Sequence, residues 1–118
     1  MKRFLLLVTL VLSAMSVQVS AADYSEGWAA YYSNVLHGRT TASGAIYDKN
    51  AMTAAHKTLP FGTRVKVTNL ANGKSVTVTI NDRGPFTENR HIDLSRAAAE
   101  QVDMIKAGVV PVSIEILE

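Results

Sequence analysis

Two short segments with alternating side chains, joined by Asn72-Gly73, constrain this chain more than anything else in it. In residues 63–69, Val65 and Val67 point one way while Arg64, Lys66 and Thr68 point the other. In residues 75–81, Val76, Val78 and Ile80 alternate with Thr77 and Thr79. A period of two gives a strand one apolar and one polar face, so each is a half-buried strand. Asn-Gly between them favours the positive φ angles of a tight hairpin turn. The pair must therefore lay its valines and Ile80 onto a core supplied by the rest of the chain.

Further segments can supply that core. Residues 27–32, GWAAYY, and residues 51–55 read as short strands. Val110, Val112, Ile114 and Ile116 mark a last one. Pro111 restricts that strand to an edge or to its own beginning, because proline has no N–H to give to a ladder. Residues 33–50, rich in Gly, Ser, Thr and Asn, read as an ordered loop. One helix is predicted over Ser95–Lys106, capped by the Ser95 hydroxyl. Leu94, Ala98, Val102 and Ile105 share its apolar face, and Gly108 provides the left-handed stop. Five or six strands and one helix predict a mainly β, small closed barrel, in which closure removes exposed edges.

Residues 1–21 read as a secretory signal. Lys2-Arg3 is followed by the apolar run Phe4 to Ala14 and by small residues ending at Ala21-Ala22. The run is short of the roughly 20 residues that a membrane span requires. The expected mature chain, residues 22–118, is one domain with one modest core. It contains no cysteine, which leaves neither a disulfide nor a cysteine for lipid attachment. The expected location is periplasmic or secreted, without a membrane anchor after cleavage. Once Lys2 and Arg3 depart, ten basic residues face ten acidic ones. A neutral chain without a basic patch argues against nucleic acid as a partner.

The residues that could carry chemistry are few. The second alternating strand runs into Asn81-Asp82-Arg83-Gly84-Pro85. By parity Asp82 follows Ile80 onto the apolar face, which places a carboxylate half inside the mouth of the barrel. There it could serve as a general acid; the same run also reads as an ordinary turn. His56 ends a strand and could donate to a reacting oxygen or orient a carboxylate. Asp93 precedes the helix cap. Trp28, Tyr31, Tyr32 and Tyr47 could stack on sugar faces or simply pack. His37, His56 and His91 lack metal-ligand spacing, so no metal is expected. No cofactor motif is present.

Three stretches, "GWAAYYSNVLHGRTTASG", "YDKNAMTAAHKTLPFGTRVKVTNLANGKSVTVTINDRGPF" and "RHIDLSRAAAEQV", resemble the rare lipoprotein A (RlpA) family in content and order. The resemblance runs from Gly27 to the C-terminus. It implies a six-stranded double-psi β-barrel, similar to barwin and the expansin barrel. It also implies endolytic lytic transglycosylase cleavage of peptidoglycan glycan strands, leaving 1,6-anhydro ends. On that resemblance Asp82 matches the family's central acid, His56 its histidine and Asp93 a third site residue. Arg83, Thr53, Tyr47 and Tyr32 become the expected substrate contacts, and division or cell-wall proteins the expected protein partners. The sequence departs from the family at Ala45, where a glutamate implicated in catalysis usually stands. The alternative reading is therefore a barrel that holds glycan strands, or a partner protein, without cutting.

Overall fold

A computed structural model describes residues 23–117, and the expected signal segment lies outside them. The strands are β1 (Tyr24–Tyr31), β2 (Thr53–His56), β3 (Arg64–Asn69), β4 (Ser75–Asp82), β5 (Ile92–Leu94) and β6 (Val110–Ile116). One short α-helix, α1 (Arg96–Gln101), lies between β5 and β6. The strands close into a barrel in the order β1-β5-β2-β4-β3-β6. Two neighbouring pairs are parallel, β1 with β5 and β2 with β4, and the other four are antiparallel.

The predicted faces hold. Val65, Val67, Val76, Val78 and Ile80 all fill the interior, while Arg64 and Lys66 are exposed. Val112 and Ile114 come in from β6. Pro111 is the second residue of β6, beyond the end of the β3 pairing, which begins at Val112. Its missing N–H thus interrupts no bond to β3.

The hairpin between β3 and β4 is longer than a two-residue turn. Lys74 O accepts the Asn69 N–H at 2.8 Å and encloses residues 70–73. Of Asn72 and Gly73 only Gly73 has a positive φ, 80°. Asn72 instead points its amide at Val102 O, 3.0 Å away, as does the buried Asn69. The loop is therefore spread to cap the end of α1.

The helix is also shorter than predicted, and its first apolar residue is not in it. Leu94 belongs to β5, paired with Ala54 and Tyr31. Ser95 is the N-cap as expected: its Oγ accepts the Ala98 N–H at 3.2 Å. The helix stops because Asp103 turns left-handed, with φ 57°. Asp103 N then reaches Glu100 O (3.0 Å) and Met104 N reaches Ala99 O (3.1 Å), a Schellman closure made without glycine. The early stop delivers Met104 into the core, where it is fully buried. Gly108 does take a left-handed conformation, but it closes a later turn onto Met104 O.

A single irregularity positions the site. Between β2 and β4 the register passes from Ala54↔Ile80 to Ala55↔Asp82, leaving Asn81 as the extra residue of a bulge. Partners across a ladder share a face. Ala54 and Ile80 face the core, so Ala55 and Asp82 face outwards. The expectation that Asp82 lies half inside the barrel is thus corrected: the bulge reverses its parity and sets it on the outer wall.

Candidate functional site

The outer wall across β5, β2 and β4 carries Asp93, Ala55 and Asp82 side by side, since Ala55 is in register with both aspartates. A groove of about 560 Å³ opens there, lined in part by Tyr32, Ala55, Asp82, Arg83, Arg90 and Asp93. Its floor is low because residue 55 is alanine, with nothing beyond Cβ to stand between the two carboxylates. Gly84, Pro85 and Phe86 form one bank. Gly84 has φ 122°, a conformation that only glycine takes freely, and Phe86 beyond it is 84% exposed.

Asp82 is tightly oriented. One oxygen accepts the N–H groups of Ala42 and Arg83, each at 2.9 Å. The other accepts a short hydrogen bond from the Tyr32 hydroxyl. Ala42 lies in a loop closed by the Thr40↔Ile46 bridge and by Thr41, whose N–H and hydroxyl both donate to Ala45 O. Burial, and then the adjacent Asp82, drive the Tyr32 pKa far above that of a free tyrosine. Tyr32 therefore remains a phenol and a donor. It was expected to contact sugar; its first partner is Asp82.

Asp93 is held by Arg90, whose Nη2 donates to both carboxylate oxygens at 2.9 and 3.1 Å. Burial raises the Asp93 pKa, the Arg90 interaction lowers it, and the charge of Asp82 adds to the rise; the net shift is upwards. Asp93 thus retains a proton to higher pH than an ordinary carboxylate. The Arg90 Nε is buried with no partner.

The remaining expected residues are dispersed. Arg83 does line the groove; its guanidinium lies 4.1 Å over the Phe61 ring and donates to His56 O at 3.3 Å. The imidazole of His56 is elsewhere. His56 pairs with Ile92, which puts it on the inner face, and it lines a separate cavity with Leu59 and Ile114 at the barrel end. Its Nδ1 accepts the N–H groups of Thr58 and Leu59 at 3.2 and 3.1 Å. The structure does not bring that ring into the groove with Asp82. Thr53 is also outside it, its carbonyl accepting the Ser95 N–H. Tyr47 is buried beneath Tyr32, stacked at 4.3 Å, and its hydroxyl accepts the Arg96 N–H at the start of α1. It supports the site from behind. Ala45 is exposed and is not part of the groove lining.

The sequence reading missed Ala55, Arg90 and Phe86. A faint signal existed for Arg90, three residues before Asp93. None existed for Ala55, whose role depends on partners in two other strands.

His56 provides a test of its own. Burial, then the charges of Arg83, His91 and Lys57, depress its pKa below the ordinary 6.5. The unfolded chain takes up this proton first as pH falls. The contribution to stability is whole above about pH 6.5 and is lost as pH drops through the lower native value. His56→Asn keeps an acceptor near the Nδ1 position and cannot titrate. Thermal midpoints of the variant are expected to fall less than those of the wild type between about pH 8 and 5. Equal declines would show that His56 is not an acid-sensitive element.

Comparison with known proteins sets this geometry in context. A family model described as lytic transglycolase matches residues 11–114. A Treponema pallidum protein named "Probable endolytic peptidoglycan transglycosylase RlpA" is 63% identical over 89 residues, 75% of this chain and 28% of that protein. The Campylobacter jejuni protein named "Endolytic peptidoglycan transglycosylase RlpA" is 52% identical over 99 residues, 84% of this chain and 36% of its own length. The chain thus spans about a third of the length of these relatives. Among solved structures, the Streptomyces papain inhibitor matches with a TM-score of 0.66 and 24% identity, over 86% of this chain and all of that one. A mutant Clavibacter michiganensis expansin in complex with cellohexaose matches with a TM-score of 0.64 and 25% identity, over 80% of this chain and 50% of that one. The shared architecture is the double-psi β-barrel.

Proposed function

We propose, because this chain belongs to the lytic transglycolase family, that its outer groove receives a peptidoglycan glycan strand and that Asp82 drives non-hydrolytic cleavage of that strand. The observation that carries the reading is the placement of Asp82: a bulge presents it at an open groove, and three donors fix its oxygens there. The expansin neighbour, which this chain matches over half of that protein's length, was solved in complex with cellohexaose, and this favours an oligosaccharide as the ligand.

The chemistry asks little of the protein. A protonated carboxyl gives its proton to the oxygen leaving C1. The sugar's own 6-hydroxyl forms the new bond to C1 and closes a 1,6-anhydro ring. The carboxylate then takes the proton from that hydroxyl, so the acid is regenerated and no water is consumed. Hydrolysis usually needs two carboxylates at a defined separation, whereas here one group can act twice. Asp93, with its raised proton affinity, is the second carboxyl within the groove. Arg90, through its Nη2, keeps that carboxyl in position.

The same reading exports the chain by residues 1–21 and places it in the periplasm or outside the cell, beside the cell wall and its division proteins. Ala45 favours one other reading, a barrel that binds glycan without cutting it. Incubation with purified sacculi, followed by mass spectrometry, separates the two. Wild type is expected to release 1,6-anhydro products. Silence from wild type together with release by Ala45→Glu would establish the binding barrel instead.

A further inference from the structure

The outer face of β1 carries Trp28, then Ala30, then Tyr32 just past its end, because alternate residues share a face. Tyr32 is the donor to Asp82. Trp28 stands four residues earlier, ~13 Å away at ~3.3 Å per residue. It is 45% exposed. Beside it lie Pro111, its partner in β6, and Leu70, whose N–H donates to Pro111 O. Glu26, Asn89 and His91 complete a shallow depression of about 360 Å³ around the indole.

This depression is built, and it lies next to the groove, separated from it by residues 87–91 and the buried Ala30. His91 N–H donates to Trp28 O at 2.8 Å, and Trp28 N–H donates to His91 Nδ1 at 3.0 Å. The imidazole lies so close to Gly27 that a Cβ there would fall 2.2 Å from it. Glycine at 27 is therefore what allows the ring to hold Trp28 in place. The segment that carries His91 serves both depressions: Thr87 and Arg90 line the Asp82 groove, Asn89 and His91 the Trp28 depression. An extended ligand long enough to leave the groove across residues 87–91 would arrive at the indole.

We propose that Trp28 is a distal glycan subsite, stacking on a sugar ring a few residues along the strand from the bond at Asp82. A pyranose ring presents an apolar face and a rim of hydroxyls. The site presents an indole face with an acid, an amide and an imidazole beside it. One indole, one proline and one leucine fall far short of the ~800 Å² per partner that a stable protein interface buries. The inference rests on the glycan reading of the groove.

Trp28 is the only tryptophan in the chain, so its fluorescence reports this subsite alone. Asp82→Asn protein, which leaves strands uncut, is titrated with peptide-free glycan strands graded by length, with calorimetry in parallel. Strands long enough to span both sites are expected to shift the emission, and a bound disaccharide to leave it unchanged. In the same background Trp28→Ala should weaken long-strand binding about three- to tenfold, with Trp28→Phe recovering part of the loss. Strands that bind by calorimetry but leave the emission unmoved would overturn the subsite while sparing the groove. So would equal affinity in Trp28→Ala. Absence of all glycan binding, with no anhydro product from wild type, would instead remove the glycan reading itself.

Discussion

Asp82→Asn is expected to lower anhydro-product release by about 10²–10⁴-fold, the range for loss of a general acid–base group, in a barrel that still folds. The amide is nearly isosteric with the carboxylate. Its oxygen can still accept from Ala42 N–H or from Tyr32, which keeps part of the hydrogen bonding now fixed on Asp82. What it cannot do is carry a proton to the leaving oxygen and take one back. The measurement is product mass spectrometry on equal sacculi, beside thermal melts of both proteins. Undiminished product from a folded variant would exclude Asp82 from the reaction and leave the Asn81–Pro85 segment as a turn.

Leu94→Ala is expected to cost about 2–5 kcal/mol of folding stability. Leu94 is fully buried and belongs to the three-residue strand that joins β1 to β2. Truncation opens a cavity at a seam of the barrel, where short strands have few other contacts to share the loss. Thr77→Ala, on the outward face of β4 opposite Lys66, should cost about 1 kcal/mol or less. Chemical denaturation of both variants checks this. Coincident midpoints would contradict the assignment of Leu94 to the core side of β5.

Leu94 also shows where sequence periodicity fails. Its spacing to Ala98, Val102 and Ile105 fits a helical face, and the helical reading took it. Three residues are too few to display a period of two, so β5 left no pattern to read. The bonds that make Ile92–Leu94 a strand come from β1 and β2, more than thirty residues away in sequence.

The faces of β3, β4 and β6 and the Ser95 cap were legible in the sequence because each depends on residues a few positions apart. Asp82, His56 and Asp93 were legible as motif residues only through resemblance to a family. Which way each of them points was not. Parity carried Asp82 inwards, but parity holds only while a ladder is regular, and the bulge at Asn81 exists only against β2. The His56 ring was free on paper to face either side of the sheet; its pairing with Ile92 and the N–H groups of Thr58 and Leu59 drew it to the inner side. Ala55 became the groove floor because β4 and β5 flank it with aspartates. Local pattern fixes the alternation of faces along a strand. Only the pairing of distant strands decides where that alternation is broken, and the break is what puts the Asp82 carboxylate on the outer wall.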